Sequence, residues 1–182
     1  MKLIYSITDK LYYIQNFLDY PTYKKLHYDV FKSKLIKLES TKKRWAKSLL
    51  EGYTQSPDRS DLISEYNPLK KLKILLNTNP FYKINHPIKE FILHSMKNNS
   101  GINWHDDSGH EYGITYYINR RWNPIFGGEF LFMDKNANGF IPLVGNSLVI
   151  VKAPLKHKVT PVMNPLVPRK TIQIFINKEE KI

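Results

Sequence analysis

After residue 90 the chain breaks into short runs of β-branched and aromatic residues, each of strand length and each separated from the next by Gly, Asn or Pro. That spacing is an all-β signature, since short strands must bury one face of alternating side chains against other strands. Candidate strands are Phe91 to Lys97, Ile102 to Asp107, Tyr112 to Asn119, Glu129 to Met133, Ser147 to Lys152, His157 to Val162 and Lys170 to Asn177. Seven or eight such strands point to a jelly roll or sandwich, so the fold class expected is mainly β with flanking helices.

Residues 1–89 have a different texture. Tyr20-Pro21 puts a proline where a first helical turn tolerates it, and Tyr23, Leu26, Val30 and Phe31 then recur on one face, predicting a helix from about residue 20 to 34. Asp61 to Leu76 carries a second apolar stripe in Leu69, Leu72 and Leu76, with Pro68 as a break inside it. Tyr53 to Ser60 is polar and contains Pro57, which predicts a loop. At 182 residues a single domain is the default. Its expected organisation is a helical support over 1–89, packed outside one sheet of a β core over 90–177.

The chain has no cysteine, which removes disulfides, thiolate zinc sites, iron–sulfur clusters and a cysteine nucleophile. A metal here must be held by His and carboxylate ligands. The net charge is +12, but Lys outnumbers Arg 23 to 5, and readers of base edges lean on Arg forks. The charge therefore reads as a solvated surface rather than a polyanion site. Met1 to Tyr5 reaches Asp9 and Lys10 before any long apolar run, and no window approaches the roughly 18 apolar residues of a membrane span. A soluble, cytoplasmic protein is expected.

Trp104-His105-Asp106-Asp107 ends a candidate strand, where alternation would point His105 and Asp107 to the same side. A second imidazole from a distant strand would complete a facial set of three ligands with open positions, the arrangement typical of non-haem Fe(II) oxygenases. His157, at the start of another strand, is the candidate. In the strand that follows, Ile172, Ile174 and Ile176 form an apolar wall while Arg169, Thr171 and Gln173 face the other way. A planar guanidinium beside a hydroxyl is suited to gripping a carboxylate, and a buried Arg implies an anionic partner.

The ordered set His105-x-Asp107, Tyr116-Tyr117-Ile118-Asn119, Gly127-Gly128-Glu129, His157-x-Val159 and Arg169-x-Thr171 resembles the 2-oxoglutarate and Fe(II)-dependent dioxygenases, in their prolyl 4-hydroxylase-like branch. The resemblance covers residues from about 90 to 177, and the first half matches only as helices that could buttress the core. It implies a double-stranded β-helix, iron held by His105, Asp107 and His157, and 2-oxoglutarate held by Arg169, Thr171 and Tyr117. The activity it implies is hydroxylation of a substrate C–H bond with O2, 2-oxoglutarate being decarboxylated to succinate and CO2. A prolyl residue of a protein or peptide is the expected substrate, and ascorbate the expected reductant.

Gly127 and Gly128 are expected to serve a turn needing positive φ or close backbone approach. Trp122 and Phe126 are candidates for the wall of the substrate entrance, or, as aromatics beside a Gly-Gly turn, for the edge of the core. Hydroxylases of this branch usually carry a tyrosine that contacts the cofactor on the strand before His-x-Asp; here that strand, Phe91 to Lys97, has none, and its place would fall to His94 or Met96, unless His94 is a structural core residue. His110 and Glu111 are weaker alternatives to Asp107, and Arg120 and Arg121 read as surface. Two other functions compete. The same chemistry could act on a nucleic acid, but the alkylated-base demethylases carry a second Arg six positions after the first, where this chain has Phe175. A non-catalytic jelly-roll binding module would be expected to show a broken triad.

Overall fold

In the computed structural model the described residues are 3–32, 38–62, 66–78, 88 and 91–177. They form, in chain order, β1 (Leu3–Thr8), β2 (Leu11–Gln15), α1 (Tyr20–Lys32), β3 (Glu39–Ser40), α2 (Lys47–Leu50), β4 (Asp58–Leu62), α3 (Asn67–Asn77), β5 (Phe91–Met96), β6 (Ile102–His105), β7 (His110–Tyr117), β8 (Phe130–Met133), β9 (Asn138–Ile141), β10 (Ser147–Lys152), β11 (Lys156–Val159) and β12 (Arg169–Asn177). Two antiparallel sheets result, one of eight strands in the order β1-β2-β10-β7-β12-β5-β4-β3 and one of four in the order β6-β11-β8-β9. This is a jelly roll, as the strand spacing predicted.

The two faces of the large sheet do different work. Ile172, Ile174 and Ile176 of β12 join Ile114 and Tyr116 of β7 and Leu148 and Ile150 of β10 in one core with Tyr23, Leu26 and Val30 of α1 and Leu69, Leu72 and Leu76 of α3. The helices thus cover the outer face, as their stripes required. The inner face packs against the small sheet through Tyr13, Tyr117, Val149 and Val151 on one side and Phe130, Phe132 and Ile141 on the other. Alternation along β12 therefore sends its isoleucines to the helices and Arg169, Thr171 and Gln173 to the space between the sheets.

The first half is less helical than its pattern suggested. β1 and β2 extend the large sheet through β10, with Leu11 and Tyr13 fully or nearly buried. Part of the expected loop is strand: Asp58–Leu62 pairs with β5 in register from Asp58↔Ser95 to Leu62↔Phe91. Its sequence, DRSDL, is too polar to announce a strand; main-chain pairing with β5 makes it one. Pro68 lies in the first turn of α3, where its missing N–H costs nothing, rather than breaking the helix. β9 was not anticipated, because Asn138-Gly139 reads as a turn. Residues 33 and 34 of the first predicted helix, and 63–65 of the second, lie outside the described residues. Among the described residues no helix is long and apolar enough to cross a membrane.

Candidate active site

β6 and β11 are neighbours in the small sheet, and their register sets His157 directly opposite His105. The two rings lie 4.1 Å apart, centroid to centroid, and Phe130 of β8 stacks on His157 from the other side at 4.9 Å. Each imidazole is oriented by its own backbone, with His105 Nδ1 2.7 Å from the carbonyl of Asn103 and His157 Nδ1 2.8 Å from that of Leu155. A carbonyl only accepts, so both Nδ1 atoms carry the hydrogen, and both Nε2 lone pairs are free for another use.

Both Nε2 atoms face Asp107. Its carboxylate oxygens lie 3.6 Å from His105 Nε2 and 3.4 Å from His157 Nε2. The convergence does not come from strand alternation, as the sequence suggested, because β6 stops at His105. Asp107 instead sits in the left-handed region at φ 51° and swings its side chain back over the strand end. Gly113 makes room for it, since a Cβ there would come within 2.8 Å of Asp107 Oδ2.

The electrostatics suit a cation. Burial lowers the pKa of His105, with the neighbouring His157 adding to the effect, so His105 is neutral. Burial pushes Asp107 up, but the neighbouring His157 and His105 outweigh it and leave the carboxyl below its ordinary range. Two imidazoles and one carboxylate, with one ligand atom from each within 4.8 Å of the others, are a facial ligand set that could hold Fe(II).

Beside the triad a cavity of about 250 Å³ opens between the sheets, lined by residues of β4, β5 and β12 as well as the three ligands. Arg169 lines it and is fully buried. Its Nη1 donates to Met96 Sδ at 3.4 Å, while Nε and Nη2 have no hydrogen-bond partner, and no carboxylate among the described residues lies within ion-pair distance. The guanidinium lies 5.3 Å from the centroid of the Tyr117 ring, whose buried hydroxyl is also unpartnered. Burial holds that phenol up at about 12 against the pull of Arg169, so it is an O–H donor. Thr171 stands directly opposite Tyr117 in the β12–β7 register and receives a hydrogen bond from Gln173 Nε2 at 3.2 Å. Gln173 in turn accepts from Thr115 at 2.8 Å.

Leaving buried donors unmade costs about 1–3 kcal/mol each, more for a charged group, so this cluster is built around an acceptor it does not itself contain. The residues fit a dicarboxylate: one end at the triad, the other at Arg169. Gly128 supports the arrangement, because a Cβ there would come within 2.9 Å of Arg169 Cδ, and Gly127 would meet the Pro161 carbonyl at 2.2 Å. Both glycines have positive φ, 64° and 77°, so the Gly-Gly pair meets both of its expected requirements.

Other expected residues are placed elsewhere. Trp122 and Phe126 do not line the cavity; Trp122 Nε1 donates to the Gly127 carbonyl at 2.8 Å and Phe126 packs edge-on against the indole, so the pair steadies the glycine turn. The apolar wall is formed instead by Trp45, Leu49, Ile92 and Phe175. His110 reaches the cavity rim, stacked on Phe175 at 4.5 Å with Nδ1 3.0 Å from Asn177 Oδ1, and stays outside the ligand cluster. Trp45, Leu49 and Arg59 were not foreseen, and nothing in their local sequence marks them. Gly113 did carry a signal: a lone glycine inside a strand pattern often marks close approach.

No protein-family model and no curated protein matches the chain. Solved structures do. A Pseudomonas putida prolyl-4-hydroxylase superposes with TM-score 0.68 at 13% identity, covering 94% of each chain. A Trichoplax adhaerens prolyl hydroxylase, solved with a hypoxia inducible factor peptide fragment, gives 0.73 at 16%, covering 93% of this chain and 84% of that one. The α-ketoglutarate-dependent epimerase SnoN of nogalamycin biosynthesis gives 0.65 at 11%, covering 93% and 78%. The fold is therefore the one used by prolyl hydroxylases and other 2-oxoglutarate/Fe(II) oxygenases, and it carries more than one reaction.

Proposed function

We propose that this chain is a 2-oxoglutarate- and Fe(II)-dependent dioxygenase that hydroxylates a prolyl residue in a protein or peptide, with ascorbate as reductant, in the cytoplasm. The observation that carries this is the pairing, in one cavity, of a His105–Asp107–His157 ligand cluster with a buried Arg169 that has no anionic partner among the described residues. Bound iron and 2-oxoglutarate would supply the oxidising chemistry: one atom of O2 enters the substrate C–H bond, the other enters succinate, and CO2 leaves.

The chain's own residues do the rest. His105, His157 and Asp107 hold the metal, the two Nδ1–H bonds to backbone carbonyls fixing each ring so that only Nε2 can ligate. Arg169 would hold the far carboxylate of 2-oxoglutarate through its Nε and Nη2, with the unpartnered Tyr117 hydroxyl and Thr171, which stand beside it behind the residues lining the cavity, completing the grip. Trp45, Leu49, Ile92, Phe130 and Phe175 keep the cavity apolar and limit water near the reacting centre.

The prolyl assignment is supported by two similar hydroxylase folds, one of them solved with a peptide fragment. It is tested by mass spectrometry of proline-bearing peptides and short oligonucleotides incubated with enzyme, iron, 2-oxoglutarate and ascorbate. A gain of one oxygen on proline supports it. Loss of a methyl group from the oligonucleotide would move the substrate to nucleic acid.

A further inference from the structure

We propose that His94 is a further cofactor-binding residue, donating its Nδ1–H to the far carboxylate of 2-oxoglutarate beside Arg169; this rests on the cavity being a 2-oxoglutarate site. Among the described residues five buried side-chain polar atoms lack a hydrogen-bond partner, and four of them belong to His94, Tyr117 and Arg169. These three residues are neighbours on one sheet face. β12 register sets Thr171 opposite both Tyr117 of β7 and His94 of β5, with Arg169 one step along, opposite Met96. Unmade hydrogen bonds concentrated in one patch mean one absent acceptor rather than scattered imperfections.

Three features say what His94 can offer. It lines the cavity and is only 4% exposed, so solvent does not satisfy it. Burial above all, and then the charges of Arg59 and Arg169, depress its pKa to about 3, so it enters the site as a neutral imidazole with a single N–H. Of its charged neighbours in the cavity, Arg59 opposite it on β4 and Arg169 are donors only, and the Asp107 carboxylate, whose charge is felt at His94, makes no hydrogen bond to its Nδ1. A carboxylate between His94, Arg169 and Tyr117 accepts from all three. Trp45 meets the imidazole edge-on at 5.2 Å and holds its plane. Met96, the other residue that could have served here, is used: its sulfur accepts from Arg169 Nη1.

The test reads binding rather than turnover. 2-Oxoglutarate and pyruvate, which lacks the far carboxylate, are titrated into metal-loaded protein under nitrogen, for wild type, His94→Phe and His94→Gln. Losing one hydrogen bond to a charged group should weaken 2-oxoglutarate about 10- to 150-fold in His94→Phe. Pyruvate and metal affinity should stay within about twofold, and His94→Gln should recover part of the loss because its amide can donate. In ¹⁵N-histidine-labelled, zinc-loaded wild type, 2-oxoglutarate should shift the His94 Nδ1 resonance, a readout that does not depend on any variant folding. Unchanged 2-oxoglutarate affinity in His94→Phe, or an unmoved His94 resonance at saturation, would overturn the assignment while leaving the cofactor site intact. If wild type binds no 2-oxoglutarate at all, the proposed function itself falls.

Discussion

Gly113→Ala should separate metal binding from folding. The Cβ it adds would lie 2.8 Å from Asp107 Oδ2, against 3.4–4 Å for ordinary contact, so that oxygen must retreat by at least about 0.6 Å. The fold can bear this, because the obstructed atom is the end of a side chain; alanine in a strand interior also removes glycine's entropic cost of about 0.5–1 kcal/mol. The metal site has less slack, since ligand distances hold to within about 0.2 Å. Disturbing a ligand's position in this way costs roughly 10- to 100-fold in metal affinity. The assay is competitive Fe(II) or Co(II) titration of the variant, with thermal unfolding of the metal-free protein alongside. Gly109→Ala is the control, because a Cβ there meets nothing within 4 Å. Wild-type metal affinity in Gly113→Ala, or lost affinity only with a collapsed unfolding midpoint, would refute the reasoning.

Arg169→Met should raise the 2-oxoglutarate requirement by about 100-fold or more while leaving iron binding nearly unchanged; an unaltered requirement in ligand titrations would remove Arg169 from the site. The same variant should stabilise the cofactor-free protein by about 1–4 kcal/mol in urea, since it replaces an unpaired buried charge with an apolar side chain. Stability should also depend on pH through His94. The unfolded residue takes up a proton below about 6.5 while the folded one does not until about 3, so stability is full above the upper value and falls as pH drops between them. At about pH 4.5 this amounts to roughly 3 kcal/mol, measured by urea unfolding, and His94→Phe should lack that part of the loss.

Local pattern carried the sequence reading as far as local pattern reaches. β12 announced both its faces, because Arg-x-Thr-x-Gln against Ile-x-Ile-x-Ile needs only alternation to interpret, and the structure sends the isoleucines to α1 and α3 as that pattern requires. The triad could be nominated from residue types and order. Its geometry could not: it depends on a left-handed Asp107, a Gly113 that vacates the space, and a β6–β11 register that faces the two histidines. β1, β2 and β4 escaped notice for a related reason. Tyrosine-rich or polar segments such as Asp58–Leu62 become strands through partners remote in sequence, which also bring Trp45 and Arg59 to the cavity. Trp122 and Phe126 stand next to the Gly-Gly turn in sequence, which fits either an entrance wall or the edge of the core, and in the structure they brace that turn.

In the proposed site His105, Asp107 and His157 hold iron, and the Arg169 end of the cavity receives 2-oxoglutarate. The most direct test is visible absorption of the Fe(II)-loaded protein under nitrogen as 2-oxoglutarate is added. A charge-transfer band that saturates in wild type and is absent from His157→Ala is the expected result. No band at saturating 2-oxoglutarate, with iron demonstrably bound, would contradict the account.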